Sequence, residues 1–142
     1  MAAPGERLED YKPPAKLKLS ALWASLMFLY IYGDYFYMYA PGKLEAMARG
    51  DLGIGQATDA LLIGVTTMMA IPSLMIFLSL ALPPTLNRWL NVLLGLAYAA
   101  IVGLTMVNAE AFYLYLGALD ILVTLTIAWI ALRWPRTQAA PQ

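Results

Sequence analysis

Long apolar stretches alternate with short polar interruptions along this chain. A helix needs about 20 predominantly apolar residues to cross the hydrocarbon core of a bilayer. Four stretches reach that length, at approximately residues 19–40, 58–82, 86–107 and 111–132. None shows the period-two alternation of a membrane-barrel strand, and backbone groups in lipid must be hydrogen-bonded within their own segment. The pattern therefore predicts four transmembrane helices.

The polar interruptions indicate where the helices begin and end. Proline-containing turns follow three of the stretches, at Pro41-Gly42, Pro83-Pro84 and Trp134-Pro135. Thr58 precedes the second stretch in the position of an N-cap, and a short surface helix is expected in residues 41–57, ending near Gly50. Because short connections make successive helices antiparallel neighbours, the predicted fold is all-α, an up-down-up-down four-helix bundle.

The predicted domain organisation is one membrane domain between two polar tails. The four helices occupy residues 18–134, and residues 1–17 and 135–142 form the tails. Of the 142 residues, 61% are hydrophobic and 13% are charged, whereas soluble domains average about 45–50% apolar and about 25% charged residues. Too little polar surface is present to cover a soluble globule, so we expect the bilayer to be the main partner.

The basic residues predict the orientation. Lysine and arginine are enriched in cytoplasmic loops. Most of them fall at one predicted end of the bundle: Arg7, Lys12, Lys16, Lys18, Arg88, Arg133 and Arg136. Only Lys43 and Arg49 fall at the other end. Both termini are therefore expected in the cytoplasm, with Trp23, Trp89, Trp129 and Trp134 forming an aromatic belt on that side.

The absent residue types restrict the chemistry. The sequence contains no cysteine and no histidine, which removes disulfides, thiolate and imidazole metal ligands, cysteine nucleophiles and histidine-based catalysis. We therefore expect neither an enzyme nor a cofactor. The formal net charge is zero, so nucleic acid is not an expected partner.

Two acidic residues lie inside the predicted spans. Asp34 interrupts the segment YIYGDYFYMY, and Asp120 lies in LGALDILVTL near the middle of the fourth span. A charged aspartate at a helix centre costs about 2.5–3.5 kcal/mol on insertion scales, so both are expected to face protein or trapped water. The first and fourth helices of an antiparallel ring are adjacent, and the two acids then differ in height by about one turn, ~5 Å. We therefore predict a shared polar site, with further members on the same helix faces: Tyr30, Tyr37, Tyr113 and Thr124.

Two interpretations of this site remain open. The acids can bind a proton or a monovalent cation, as intramembrane carboxylates do in transporters. Alternatively, they form interhelical hydrogen bonds, worth about 0.6–1.7 kcal/mol each, that hold the bundle together.

Pro72 lies close to the middle of the second predicted helix, where it predicts a kink. A proline removes one helical hydrogen bond and frees the carbonyl of Met68. Thr66, Thr67 and Ser73 are the expected donors to the groups that the kink leaves open.

The third helix carries a ridge of small residues, Gly95, Ala99 and Gly103. Such a ridge lets another helix approach closely. We favour packing inside the bundle over contact with a second copy.

Two segments, YIYGDYFYMYAPGKLE and MAIPSLMIFLSLALPPTLNRWLN, resemble a family of short bacterial four-helix membrane proteins known only as a domain of unknown function. The resemblance covers roughly residues 17–134 and treats residues 1–16 as an addition. It implies four helices and a bacterial cytoplasmic (inner) membrane, and it implies no activity.

The predicted function is therefore that of a non-enzymatic accessory or structural subunit of a larger membrane complex. Its expected partners are the lipid bilayer and other membrane subunits or further copies of itself. The alternative is a small oligomeric proton- or cation-linked transporter or channel that uses Asp34 and Asp120.

Overall fold

The protein is helical throughout the part of the chain that the structure describes. The computed structural model describes residues 10–107 and 109–135, in which there are five helices and no strand. The helices are α1 (Ala15–Tyr37), α2 (Lys43–Ala48), α3 (Asp59–Ala81), α4 (Pro84–Thr105) and α5 (Ala111–Leu132). The all-α prediction is confirmed for these residues. Of the predicted tails, residues 1–9 and 136–142, with Arg7 and Arg136, lie outside the described residues.

Three of the four long helices, α3, α4 and α5, are long and apolar enough to cross a membrane. The remaining long helix, α1, has 23 residues, which is sufficient length for a span. Its sequence contains Lys16, Lys18, Asp34 and several tyrosines, which make it less apolar than the other three.

The first helix begins and ends earlier than the hydropathy pattern predicts. It runs from Ala15 to Tyr37, and not over residues 19–40. The pattern missed the first turn because Lys16 is charged. The Lys16 ammonium donates hydrogen bonds to two carbonyl oxygens at the end of α3, those of Leu80 at 3.0 Å and Leu82 at 2.7 Å. The end of the predicted N-terminal tail is therefore helix, and its lysine satisfies the C-terminal carbonyls of another helix.

The bounds of the other helices follow their local sequence. The Thr58 hydroxyl accepts a hydrogen bond from the Leu61 amide (3.3 Å) and caps α3 as predicted. Helix α4 begins at Pro84, two residues before its predicted start at residue 86, since a proline is favourable at the first helical position. Helix α2 is the short helix expected in the connection, and Gly50 follows it with a φ of 79°, which only glycine adopts without strain.

The four long helices pack side by side in the order α3, α1, α5, α4. Helix α1 packs against both α3 and α5, and α5 packs extensively against α4. Helices α3 and α4 are consecutive in the chain but contact each other sparsely. The interior is therefore closed along three of its four sides and is least well closed between α3 and α4.

Contacts at the helix ends give the helix directions. The start of α1 lies beside the end of α3 through Lys16. The start of α4 lies beside the end of α5, where the Arg88 guanidinium donates to the Leu132 carbonyl at 3.3 Å. At the opposite end the rings of Tyr37 in α1 and Tyr113 in α5 meet edge to face at 6.3 Å. Helices α1 and α4 therefore run antiparallel to α3 and α5.

A buried polar cluster joins α1, α3 and α4 in the half of the molecule that contains Lys16. The Trp23 indole N–H donates to Asn91 Oδ1 at 2.7 Å, and Asn91 Nδ2 donates to Asn87 Oδ1 at 2.7 Å. Asn87 in turn donates to the Ser79 carbonyl oxygen. All four residues are fully buried, and in apolar surroundings such paired polar groups are costly to separate.

This cluster corrects the expected aromatic belt. Trp89 and Trp129 are 57% and 55% exposed, as residues of an interfacial belt are expected to be. Trp23 is 0% exposed and belongs to the core. Its position along the chain suggested an interface, but its N–H is paired inside the protein with an asparagine of α4.

Candidate functional site

A cavity of about 120 Å³ lies between the four long helices, in the half of the molecule opposite Lys16 and Arg88. All four helices contribute to its lining. By the same measure of volume, one water molecule needs about 10–15 Å³, so the cavity holds several waters or a ligand of several heavy atoms. Four of the six predicted polar-site residues line it: Tyr30, Asp34, Tyr113 and Asp120. The structure thus brings both acids to one cavity.

Asp120 is the buried acid of the cavity. Its residue is 8% exposed, and its Oδ1 atom makes no hydrogen bond within the described part of the chain. A buried oxygen without a partner costs about 1–3 kcal/mol, and more when it is charged. Asp120 thus lines the cavity with one carboxyl oxygen that has no partner among the described residues.

Asp34 lines the same cavity but is exposed, contrary to the expectation that both acids are buried. The reason is the rotation of α1 about its axis. Gly33 is the residue that α1 presses against α5, since a Cβ built on it would lie 3.2 Å from the Leu116 side chain. The next residue points about 100° around the helix, so Asp34 projects to the side of this helix contact and not into it. It lies at the mouth of the cavity and Asp120 lies inside.

Tyr113 is held in place by a hydroxyl relay from α5 to α4. Its hydroxyl donates to Thr105 Oγ1 at 3.0 Å, and the Thr105 hydroxyl donates to the Val102 carbonyl at 2.8 Å. Both Thr105 and Val102 line the cavity. Tyr113 therefore lines the cavity while its hydroxyl proton is donated to Thr105.

Two predicted site residues do not line the cavity. Tyr37 lies nearer the end of the bundle, beside a second, smaller hollow next to α2. The Lys43 ammonium lies 4.9 Å from the centroid of its ring, and Tyr37 raises the pKa of Lys43. Thr124 is fully buried, and its hydroxyl donates to the Asp120 carbonyl oxygen at 2.8 Å. Thr124 thus bonds the backbone of α5 and leaves the Asp120 carboxyl free.

Tyr98 is a cavity residue that sequence reasoning missed. It lies in α4, is 4% exposed, and donates its hydroxyl proton to the Met68 carbonyl oxygen in α3. That carbonyl is the one freed by Pro72. The expected donors on α3 bond elsewhere in their own helix, since Thr67 donates to Ile63 and Ser73 to Met69, and Thr66 is exposed. The available signal was the orphaned carbonyl itself, but a donor on another helix is not visible in a sequence.

The predicted ridge on α4 is divided between two environments. A Cβ built on Gly95 would lie 2.8 Å from the Thr124 carbonyl oxygen of α5, so the two helices meet there. Ala99 is half-buried. Gly103 is exposed, and a Cβ built on it would meet nothing within 4 Å. Only the first part of the ridge therefore belongs to the helix contact.

The ionisable side chains in the described lining of the cavity are acidic or phenolic. In the described part of the chain, two carboxyl groups line it and no lysine or arginine does. Among the residues that the structure describes, no group of three or more Asp, Glu, His or Cys side chains is close enough to hold a metal ion. The arrangement suits a singly charged cation or a proton better than Ca²⁺ or Mg²⁺, which take six or more oxygen ligands.

The chain belongs to the family of unknown function DUF6326, whose family model matches residues 8–141. The match confirms the resemblance to an uncharacterised family. It also begins inside the N-terminal tail, so residues 8–16 are part of the family pattern and not an addition. Comparisons with curated proteins and with solved structures find no match.

Proposed function

We propose that this protein is an integral membrane protein of four transmembrane helices in an up-down-up-down bundle, with both termini in the cytoplasm of a bacterium. Lys16 and Arg88 lie at one end of the helices and bond the last carbonyls of α3 and α5. Arg133 follows α5 at the same end. Basic residues favour the cytoplasmic side, so this end is the inner one and the cavity opens in the outer half of the inner membrane.

Within that topology, the protein functions as a small proton- or cation-linked transporter or channel. The single observation that carries this proposal is the Asp120 carboxyl, which is buried in the cavity with an unpaired oxygen and with Asp34 at the mouth. Intramembrane acids of this kind are costly and mark ion and proton pathways. Acids that served only to join helices would have their oxygens paired across a helix contact, and Asp120 Oδ1 has no such partner among the described residues.

The test is a measurement of charge movement. Proteoliposomes adsorbed to a supported electrode are exposed to sudden steps of pH, Na⁺, K⁺ or ethylammonium, with protein-free liposomes as the baseline. A transient current is expected with at least one of these steps, and Asp120→Asn is expected to abolish it. Glu45→Gln, which neutralises an exposed acid on α2 outside the cavity, serves as the matched control. Currents that are absent for every step, or unchanged in Asp120→Asn, would refute the proposal.

A second candidate function is that of a non-enzymatic accessory subunit of a larger membrane complex, and one observation favours it. One side of α1 and of the turn that follows it exposes a run of large side chains: Phe28, Ile31, Tyr32, Tyr35, Phe36 and Tyr39. Tyrosine and phenylalanine are enriched where protein contacts protein, and the hydroxyls of Tyr35 and Tyr39 bond each other at 3.0 Å on this face. This face suits another membrane subunit or a second copy of the chain.

Purification in mild detergent followed by native mass analysis tests the accessory role. We expect a partner or a second copy to remain bound and to be lost when Tyr32 and Phe36 are both replaced by leucine. The control replaces Leu74 and Phe77, which are exposed on α3, by alanine. A lone chain at all protein-to-detergent ratios would contradict the accessory role.

A further inference from the structure

The side chains that line the cavity indicate which kind of cation it binds. We propose that the cavity binds a small protonated organic amine, which places its ammonium group against Asp120 and its alkyl part against the tyrosine rings and methionines. This inference rests on the proposed cation site and names the class of its ligand.

An N–H donor suits Asp120 because no hydrogen bond from the described part of the lining reaches its Oδ1 atom. The Tyr30 hydroxyl also lines the cavity and does not bond that atom. Two of the three tyrosine hydroxyls in the cavity donate elsewhere, Tyr98 to the Met68 carbonyl and Tyr113 to Thr105. Asp120 is more than nine-tenths buried, and its Oδ1 atom has no partner among the described residues. A charged N–H···O bond to a carboxylate is among the strongest polar contacts in proteins. A quaternary ammonium ion has no N–H and leaves that oxygen unpaired.

An alkali-metal ion is disfavoured because the cavity lacks the oxygen atoms to replace its water shell. Transporters that bind Na⁺ take backbone carbonyls from unwound helix segments. Here α3 remains a continuous helix through Pro72. The carbonyl that this proline frees, on Met68, accepts the Tyr98 hydroxyl, which occupies one of its two lone pairs. The described lining offers two carboxyl groups and few other free oxygens.

The rest of the lining is of the kind that accommodates an organic cation. Tyr30, Tyr98 and Tyr113 contribute aromatic rings from three different helices, and aromatic faces attract ammonium groups within about 6 Å. Met68 and Met69 contribute flexible apolar side chains from α3, which adapt to an alkyl group. A cavity of about 120 Å³ is larger than a bare ion needs.

The experiment is a binding titration of the purified full chain, in detergent or in lipid nanodiscs, by calorimetry and by shift of the unfolding temperature. The probes are ethylammonium, tetramethylammonium, Na⁺ and K⁺ chlorides at equal ionic strength. Ethylammonium is expected to bind at least tenfold more tightly than tetramethylammonium, because a charged hydrogen bond is worth about 1.5–3 kcal/mol. Na⁺ and K⁺ are expected to have no effect beyond that of ionic strength.

Matched variants locate the binding. Asp120→Asn is expected to weaken ethylammonium binding at least tenfold, and Glu45→Gln is expected to leave it unchanged. Should Asp120→Asn fail to fold, Tyr30 provides the second pair. Tyr30→Leu removes a ring and is expected to weaken binding by roughly three- to tenfold, whereas Tyr30→Phe keeps the ring and is expected to stay within about twofold of the unmodified chain.

The outcomes separate the two proposals. Ethylammonium binding with the stated variant pattern supports the inference. Binding of Na⁺ or K⁺ as tight as that of ethylammonium, or equal binding of tetramethylammonium, overturns the amine while leaving a cation site in place. Absence of ethylammonium binding overturns the inference. If charge movement in the electrode assay is absent as well, the proposed transport function is overturned with it.

Discussion

Replacing Gly95 by alanine is predicted to destabilise the protein by forcing α4 away from α5. A Cβ on Gly95 would lie 2.8 Å from the Thr124 carbonyl oxygen and 3.1 Å from the Ala128 amide nitrogen. Ordinary contacts begin at 3.4 Å, so the first distance is short by 3.4 − 2.8 = 0.6 Å. Both obstructing atoms belong to the backbone of a helix, which cannot rotate aside as a side chain does. The helices must therefore separate along their contact.

The cost of such overpacking is about 1–3 kcal/mol. For a chain of 142 residues, 1 kcal/mol corresponds to roughly 3–4 °C in the melting temperature. Gly95→Ala is therefore expected to melt roughly 3–12 °C lower than the unmodified chain. Gly103→Ala is the matched control, because it makes the same chemical change on the same helix where a Cβ meets nothing within 4 Å. Its melting temperature is expected to be equal or slightly higher, since alanine favours a helix over glycine by about 0.5–1 kcal/mol.

The assay is thermal unfolding of both variants in the same detergent, followed by circular dichroism and by the fluorescence of the buried Trp23. Native mass analysis runs alongside it. Equal melting temperatures for the two variants would refute the close approach of α4 and α5 at Gly95. A change of oligomeric state in Gly103→Ala alone would place the exposed part of the ridge in a contact between copies.

Two further substitutions test contacts between helices. Tyr98→Phe leaves the Met68 carbonyl unpaired and is expected to cost about 1–3 kcal/mol of unfolding free energy. In a Pro72→Ala background, which restores a backbone donor to that carbonyl, the same change is expected to cost clearly less. Equal costs in a double-mutant cycle measured by denaturant unfolding would rule out the shared role. Lys16→Met is expected to cost about 0.5–1 kcal/mol through the loss of its bonds to the end of α3. Lys18→Met removes the charge of an exposed lysine two residues further along α1 and is expected to change the unfolding free energy little. Equal losses of unfolding free energy in the two variants would contradict the capping role of Lys16.

Much of the candidate site was visible in the sequence because charge in an apolar run is a local signal. Asp34 and Asp120 are conspicuous in their segments, and their assignment to facing helices follows from short connections and antiparallel neighbours. The cavity lined by both is consistent with that expectation. Tyr30 and Tyr113 followed from helical spacing on the same faces.

The rest of the site depended on helix rotation and tilt, which spacing alone does not give. Tyr37 shares a helical face with Asp34, as Tyr30 does. It lies too near the end of α1, however, to line the cavity. Asn91 is the centre of the buried polar cluster because Trp23 of α1 faces it. Both outcomes depend on which atoms of a neighbouring helix lie opposite the residue.

What the sequence determined by itself is the set of helices, their lengths and turns, and the segments too apolar for water. These properties arise from backbone hydrogen bonding, proline and glycine conformations and local hydropathy, all of which involve residues close together in the chain. Only the tertiary structure decided that Asp120 is enclosed while Asp34 lies at the mouth of the cavity. It also decided that Tyr98 donates a hydrogen bond to the Met68 carbonyl that Pro72 frees in α3. Those relations depend on how far each helix is turned about its axis, and that angle is set by the packing of side chains that are distant in sequence.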